Sequence, residues 1–211
     1  MAKRGRPAGV DSAETRQRII DAARTIFSVR GYDGASVLKI AESAGLAPSA
    51  IYNHYENKET LYMAVFEETA DTIWGSVSSA TEEKTLVEAF DHLIKSSRRA
   101  TEDFPAYSDF LSYLPLEARF HPEFKKLMQR RAEFQNETFG ALAALGTSTG
   151  ELPELHEYEL KEVIRSLVMG WFFERHFRGA EIPGSGEIII KFIKTICSDA
   201  NGALDNNEDG S

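Results

Sequence analysis

Between Pro48 and Lys58 the chain concentrates side chains suited to reading nucleic acid. In Pro48-Ser49-Ala50-Ile51-Tyr52-Asn53-His54-Tyr55, a helical period sets Ile51 and Tyr55, four apart, on one side. Pro48 with Tyr52, Ser49 with Asn53, and Ala50 with His54 form successive ridges on the other. That outer face is small or polar with one aromatic, and its hydroxyl, amide, imidazole and phenol can hydrogen-bond base edges and phosphate oxygens in a duplex groove. Catalytic chemistry finds no comparable parts. The five histidines, His54, His92, His121, His156 and His176, give no His-Glu-x-x-His spacing. There is no Gly-rich phosphate loop and no Gly-x-Ser-x-Gly elbow. The single Cys197 excludes an internal disulfide and a Cys-based zinc site, and its apolar helical setting predicts a buried thiol rather than a nucleophile. The expectation is a protein that is not an enzyme, with no metal and no cofactor.

The elements that must hold this face are helices. Arg16 to Arg30 carries Ile19, Ile20, Ala23, Ile26 and Phe27 on one side, and Gly31 follows where a left-handed cap belongs. Ser36 stands at an N-cap before Val37, Ile40, Ala41 and Ala44, spaced i, i+3, i+4, i+7. Gly45 supplies the positive φ of a tight inter-helix turn, and Pro48 suits the first turn of the next helix, expected to reach about Tyr55. Asn57 caps a long helix from Lys58 to about Ala80, roughly 34 Å at 1.5 Å per residue. A short helix, a glycine turn and a second short helix packed on a longer one make a helix-turn-helix, whose second helix lies in the major groove.

Here the sequence resembles the TetR family of one-component regulators. The run from Ser36-Val37-Leu38-Lys39-Ile40-Ala41 through Ala44-Gly45-Leu46 to Ile51-Tyr52-Asn53-His54-Tyr55 and Asn57-Lys58-Glu59 follows the family's head: hydroxyl residue, Ile-Ala, Ala-Gly, a Tyr-x-His-aromatic run, then Lys. One position departs. The family's Ser or Thr at the cap of the recognition helix is Ala47 here, a loss of about 1 kcal/mol of capping. The resemblance implies phosphate contacts from Tyr52, His54 and Lys58 and from the helix start near Ser36, and it puts Pro48, in the first turn of the recognition helix, among the DNA-contacting residues. It implies base-edge contacts from Ser49, Ala50 and Asn53. It also implies a double-stranded operator read by a homodimer, usually as a repressor, and release by a small-molecule effector.

Charge is divided along the chain. The formal net charge is −9, yet residues 1–62 carry nine Lys/Arg against seven Asp/Glu while the rest carries fifteen against twenty-six. A basic head on an acidic body would orient toward a phosphate backbone. Lys3-Arg4-Gly5-Arg6-Pro7 resembles the core of an AT-hook, so Arg4 and Arg6 either lie along a narrow A·T minor groove or form a solvated basic tail. No apolar segment follows it to make a secretory signal, and no run is long enough for a transmembrane helix. A cytoplasmic protein is expected. Its organisation reads as an arm (1–12), a helix-turn-helix domain (13–62), a helical ligand-binding and dimerisation domain (63–200) and a disordered acidic tail (201–211). The fold class is all-α.

The body runs as amphipathic helices, Leu86 to Ala100, Phe104 to Phe120, Glu123 to Leu145, His156 to Arg178 and Glu187 to Asp199. Trp74, Phe90, Phe104, Tyr107, Phe110, Tyr113, Phe134 and Trp171 are candidate walls of a cavity for an apolar or aromatic effector, or else ordinary core. Arg98, Arg99, Arg119 and Arg131 could grip an acidic head group, though each reads first as a surface residue. The last two helices have apolar faces wider than one body can cover, and Leu167, Trp171, Phe172, Ile189, Phe192 and Ile193 are candidates for a four-helix dimer interface. A body that binds a partner protein instead of a small molecule would fit the same sequence.

Overall fold

The computed structural model describes residues 8–152, 155–178 and 183–208. Its elements are α1 (Ala8–Gly34), α2 (Val37–Ala44), α3 (Pro48–Tyr52), α4 (Lys58–Ser78), α5 (Leu86–Asp103), α6 (Pro105–Phe120), α7 (Lys125–Ser148), α8 (Glu157–Arg178) and α9 (Ser185–Glu208), with 3-10 turns at Ser79–Glu82 and Pro122–Phe124. No strand occurs among the described residues, and the all-α expectation holds. Two compact units form: Met1–Asp71 with Phe104–Met128, and Thr72–Asp103 with Gln129–Ser211.

The first unit is larger than the expected head of residues 13–62 because its core recruits aromatics from later in the chain. Phe27 of α1 meets the Tyr62 ring edge-on at 4.9 Å, and Tyr62 lies 5.0 Å from Phe110 of α6 and stacks on Phe124 at 4.4 Å. Desolvation drives the Tyr62 phenol far above its ordinary pKa. Around this cluster Ile19, Ile20, Ala23, Ile40, Ala41, Ile51, Leu61, Val65 and Phe66 are buried. A buried guanidinium ties three helices. Arg24 donates to Thr69 Oγ1 at 2.8 Å, to Asp21 Oδ1 at 2.8 Å and to Glu68 Oε1 at 3.0 Å, and covers the Tyr107 ring at 3.7 Å. A buried charge is tolerable when its donors are satisfied in this way.

Gly31 breaks α1 at φ 65°, ψ −178°, a backbone region open essentially to glycine alone. The break frees the Tyr32 N–H, which donates to Glu117 Oε1 of α6 at 2.8 Å. A Cβ on Gly31 would sit 2.6 Å from the same oxygen.

Two expected boundaries shift. Helix α1 already includes residues 8–12 of the expected arm, while Arg4 and Arg6 lie outside the described residues. Helix α9 runs to Glu208, through most of the expected disordered tail. Extending a formed helix costs far less than starting one, so polar composition alone did not stop either.

In the second unit α5 and α8 pack on α9. Phe90, Leu93, Ile94, Phe139, Leu142, Leu160, Ile164, Ile190 and Ile193 are buried. The Glu151 carboxylate caps the start of α5, accepting from Leu86 N–H at 2.6 Å and from Thr149 Oγ1 at 2.7 Å. Cys197 is buried, and burial, reinforced by the charge of Glu151, pushes its thiol up to about 11.

Gly31→Ala combines a forbidden φ with a clash, so urea unfolding should register a loss of about 1–3 kcal/mol. Cys197 should resist a thiol-specific disulfide reagent at pH 8 in the native protein and react fully once the chain is denatured. Fast native labelling would contradict the burial seen here.

Candidate nucleic-acid interface

The face from Ser49 to His54 is oriented by the turn before it. Ser36 caps α2, its Oγ accepting the Lys39 N–H at 3.3 Å. Gly45 ends α2 in the left-handed region, φ 65°, ψ 38°, and its N–H returns to Glu42 O at 3.0 Å. Arg18 of α1 clasps this turn, with Nη2 donating to Ala44 O at 2.6 Å and Gly45 O at 3.3 Å. Two carbonyls left open at a helix C-terminus thus gain a cationic donor. Sequence reasoning missed Arg18. No local pattern connects an arginine in the first helix with a turn 26 residues on.

Helix α3 starts at Pro48 with Ala47 at its cap, and no side chain bonds its first N–H groups, as the departure at Ala47 predicted. It stops at Tyr52 rather than near Tyr55, because Asn53 and His54 close a turn through N–H bonds to Ser49 O at 3.1 Å and Ile51 O at 2.9 Å. The next helix then begins on a reciprocal cap: Asn57 Oδ1 accepts the Thr60 N–H at 2.8 Å, and Thr60 Oγ1 accepts the Asn57 N–H at 3.1 Å.

The expected division of faces is present. Ile51 is 1% exposed and Tyr55 buried, whereas Tyr52 is 54% exposed, and Ser49, Asn53 and Ser36 are also exposed. Pro48, Ala50 and His54 are half-buried. Lys58 behaves differently from its neighbours. Its ammonium donates to Tyr32 O at 2.8 Å and Ala35 O at 3.2 Å and lies 4.2 Å over the Tyr32 ring. Two of its three N–H groups therefore hold the α1–α2 connection, which leaves one N–H for another acceptor.

The candidate effector residues divide between the units. Phe110 belongs to the first unit's aromatic core and Tyr107 lies under Arg24, while Phe104 and Tyr113 of that unit are exposed. In the second unit Phe90 is core, and Trp74 stacks on Phe134 at 6.3 Å. Trp171 lines a cavity of about 430 Å³ between α5, α8 and α9, together with Phe172, Ile188, Ile189 and Arg98. Its indole N–H donates to Ser185 Oγ at 3.0 Å. Arg131 is buried rather than at the surface, 5.2 Å from the Phe173 ring, and desolvation pulls its guanidinium down to about 10.

Of the candidate dimer residues, Ile193 is buried within the unit, while Leu167, Trp171, Phe172 and Ile189 are half-buried and Phe192 is 50% exposed. Val163 and Ile188 add to the uncovered apolar surface.

Comparison with known proteins agrees with this geometry. The family profile described as bacterial regulatory proteins, tetR family, matches residues 19–65. The HTH-type transcriptional repressor AcnR of Corynebacterium efficiens is 27% identical over 184 residues, spanning 86% of this chain and 92% of that protein. Among solved structures, the TetR family transcriptional regulator PfmR from Thermus thermophilus superposes with a TM-score of 0.65 at 21% identity, covering 86% of this chain and 97% of its own. The transcriptional regulator FadR from Bacillus subtilis, solved in complex with stearoyl-CoA, superposes with a TM-score of 0.67 at 19% identity over 87% and 96% of the two chains.

Ala47 has the extended backbone of a capping residue, φ −74°, ψ 148°. Ala47→Ser should therefore raise stability by about 0.5–1 kcal/mol in urea unfolding. Arg18→Ala should shift it the other way by releasing the turn carbonyls. An unchanged midpoint for both would deny that capping limits this element.

Proposed function

We propose that the chain, whose residues 19–65 match the profile of the tetR family of bacterial regulatory proteins, is a one-component repressor of that family that binds a palindromic operator as a homodimer and releases it on binding an effector. The observation that carries the reading is the two-sidedness of the segment from Pro48 to Tyr55: Ile51 and Tyr55 are buried while Ser49, Tyr52 and Asn53 face solvent. A ridge that size fits a major groove about 12 Å wide.

The roles follow from chemistry. Asn53 can pair bidentately with an adenine edge, the Ala50 methyl can touch a thymine methyl, and Ser49 can bond either partner of a base pair. Tyr52, His54, the remaining N–H of Lys58 and the start of α2 near Ser36 meet phosphates. Arg4 and Arg6 extend the contact into an A·T minor groove. Exposed Val163 on α8 with Ile188 and Phe192 on α9 supports pairing of those helices in a two-fold dimer, which sets the two reading helices about 34–36 Å apart on successive grooves.

The second unit is the sensor in this reading. The cavity lined by Trp171, Phe172, Ile188 and Ile189 suits an apolar or aromatic effector, and Arg98 at its edge suits an acidic one. A related regulator crystallised with stearoyl-CoA lends support to an amphipathic ligand. Helix α4 is covalently common to both units, so an effector preferring one state of the second unit can bias the head by a typical 1–3 kcal/mol. Such a protein works in the cytoplasm, beside its operator.

Selection from random duplex DNA should yield an inverted repeat. On that operator Asn53→Ala should cost about 1–3 kcal/mol, with relaxed preference at one base pair; equal loss on every sequence would reassign Asn53 to the backbone. Phe192→Glu with Leu167→Glu should turn the dimer into a monomer by light scattering. A persistent dimer would place the interface elsewhere.

A further inference from the structure

Apart from the reading face and the apolar cavity, the second unit gathers positive charge in one place. A groove of about 370 Å³ follows the α5–α9 seam over Ile94 and Ile190, lined by Lys95, Arg98, Lys191 and Lys194 with Asp91 and Glu187. It continues into a hollow of about 610 Å³ that shares Asp91, Lys95 and Lys194 and adds Arg99 together with Glu88, Glu83 and His92, the last two bonded to each other at 2.8 Å. Five of the unit's twelve Lys/Arg thus line one seam of a unit that carries twenty Asp/Glu.

The placement is specific to one flank of α9. Lys191 and Lys194 are three apart, on the same side as Glu187, whereas the exposed Ile188 and Phe192 lie on a different flank. Two of the cations are held locally, Lys95 by Asp91 and Arg98 by Glu187, each at 2.6 Å. Arg99, Lys191 and Lys194 carry no ion pair among the described residues. Cations facing one another across a helix seam repel, and an anion that bridges both helices relieves that repulsion.

We propose that the α5–α9 seam binds a small polyanion bearing two or more phosphate groups, at a site that shares only Arg98 with the rim of the apolar cavity. Lysine ammoniums from two helices supply point charges for successive phosphates, and Arg98 supplies a planar fork once an anion exchanges with Glu187. The Ile94 and Ile190 floor leaves room for a flat or apolar portion beside the charges. Bound there, the ligand ties α5 to α9 and stabilises the second unit.

The test uses the full chain at low ionic strength, where exposed charges are least screened. Sodium tripolyphosphate and metal-free ATP are titrated calorimetrically and by thermal unfolding. The wild type is compared with Lys191→Glu/Lys194→Glu and with Lys125→Glu/Lys126→Glu, which makes the same charge change in the first unit. One tripolyphosphate per chain should bind and raise the melting temperature, and the α9 pair should weaken it about tenfold or more while the control pair changes it little. Tighter ATP than tripolyphosphate binding would identify a nucleotide as the source, and equal binding would identify the phosphates alone. Absence of binding, or equal weakening by both variants, overturns the site, as does lysine dependence seen only with duplex DNA.

Discussion

Burial of Ile51 is the constraint from which the head's geometry follows. A five-residue helix without a side-chain cap has no independent stability, since a first helical turn is unfavourable to nucleate in water. Burying one isoleucine is worth roughly 1.5–3 kcal/mol, enough to hold such a peg but only in one rotation about its axis. Once Ile51 and Tyr55 face inward, Ser49, Tyr52 and Asn53 have no option but to face out. The exposed polar face is therefore displayed on an element whose orientation is wholly tertiary. The clasp of Arg18 on Ala44 O and Gly45 O matters for the same reason, because it fixes the angle at which the peg leaves α2.

A second constraint sits at the far end of α1. The break at Gly31 releases Tyr32 N–H to Glu117 and Tyr32 O to Lys58, so the backbone of one residue joins α1, α4 and α6. The Tyr32 ring packs edge-on against Phe124 at 4.9 Å and against His121 at 4.8 Å. This junction, together with the Phe27–Tyr62–Phe110 cluster, is why the first unit extends to α6. Any displacement of α6 must either carry the α1–α2 connection with it or break these bonds.

Much of this was legible in the sequence, and the exceptions share a cause. Periodicity located every long helix, because an amphipathic stripe is a local signal, and Ser36, Gly45 and Asn57 marked their ends through local capping chemistry. The buried and open faces of α3 followed from spacing alone. What escaped was non-local. Phe110 and Tyr107 have the same composition whether they wall a cavity or fill a core, and only the partners Tyr62 and Arg24 decide it. Arg131 reads as a surface residue from its type, yet the fold buries it. Lys58 was legible as a cation beside the reading helix, but its bonds to Tyr32 O and Ala35 O depend on where α1 ends.

Those bonds change how the head must hold a duplex. Arg18, Arg24 and Lys58 commit donors to a turn, a buried network and a loop, Arg18 from an exposed position. Arg16, Arg30 and Lys39 remain exposed on the helices of the head, and Lys3, Arg4 and Arg6 precede them in the chain. In the proposed complex, phosphate contacts on the reading face would thus fall mainly to neutral donors, the Tyr52 phenol, hydroxyls and backbone N–H groups, which position without displacing counterions. Cationic attraction in that complex would come largely from the basic N-terminal sequence and from Arg16, Arg30 and Lys39. Under the proposed binding mode, orientation on the groove and strength of attachment are separated physically: rigid neutral donors would set the register, and charges outside the reading ridge would supply most of the salt-sensitive affinity.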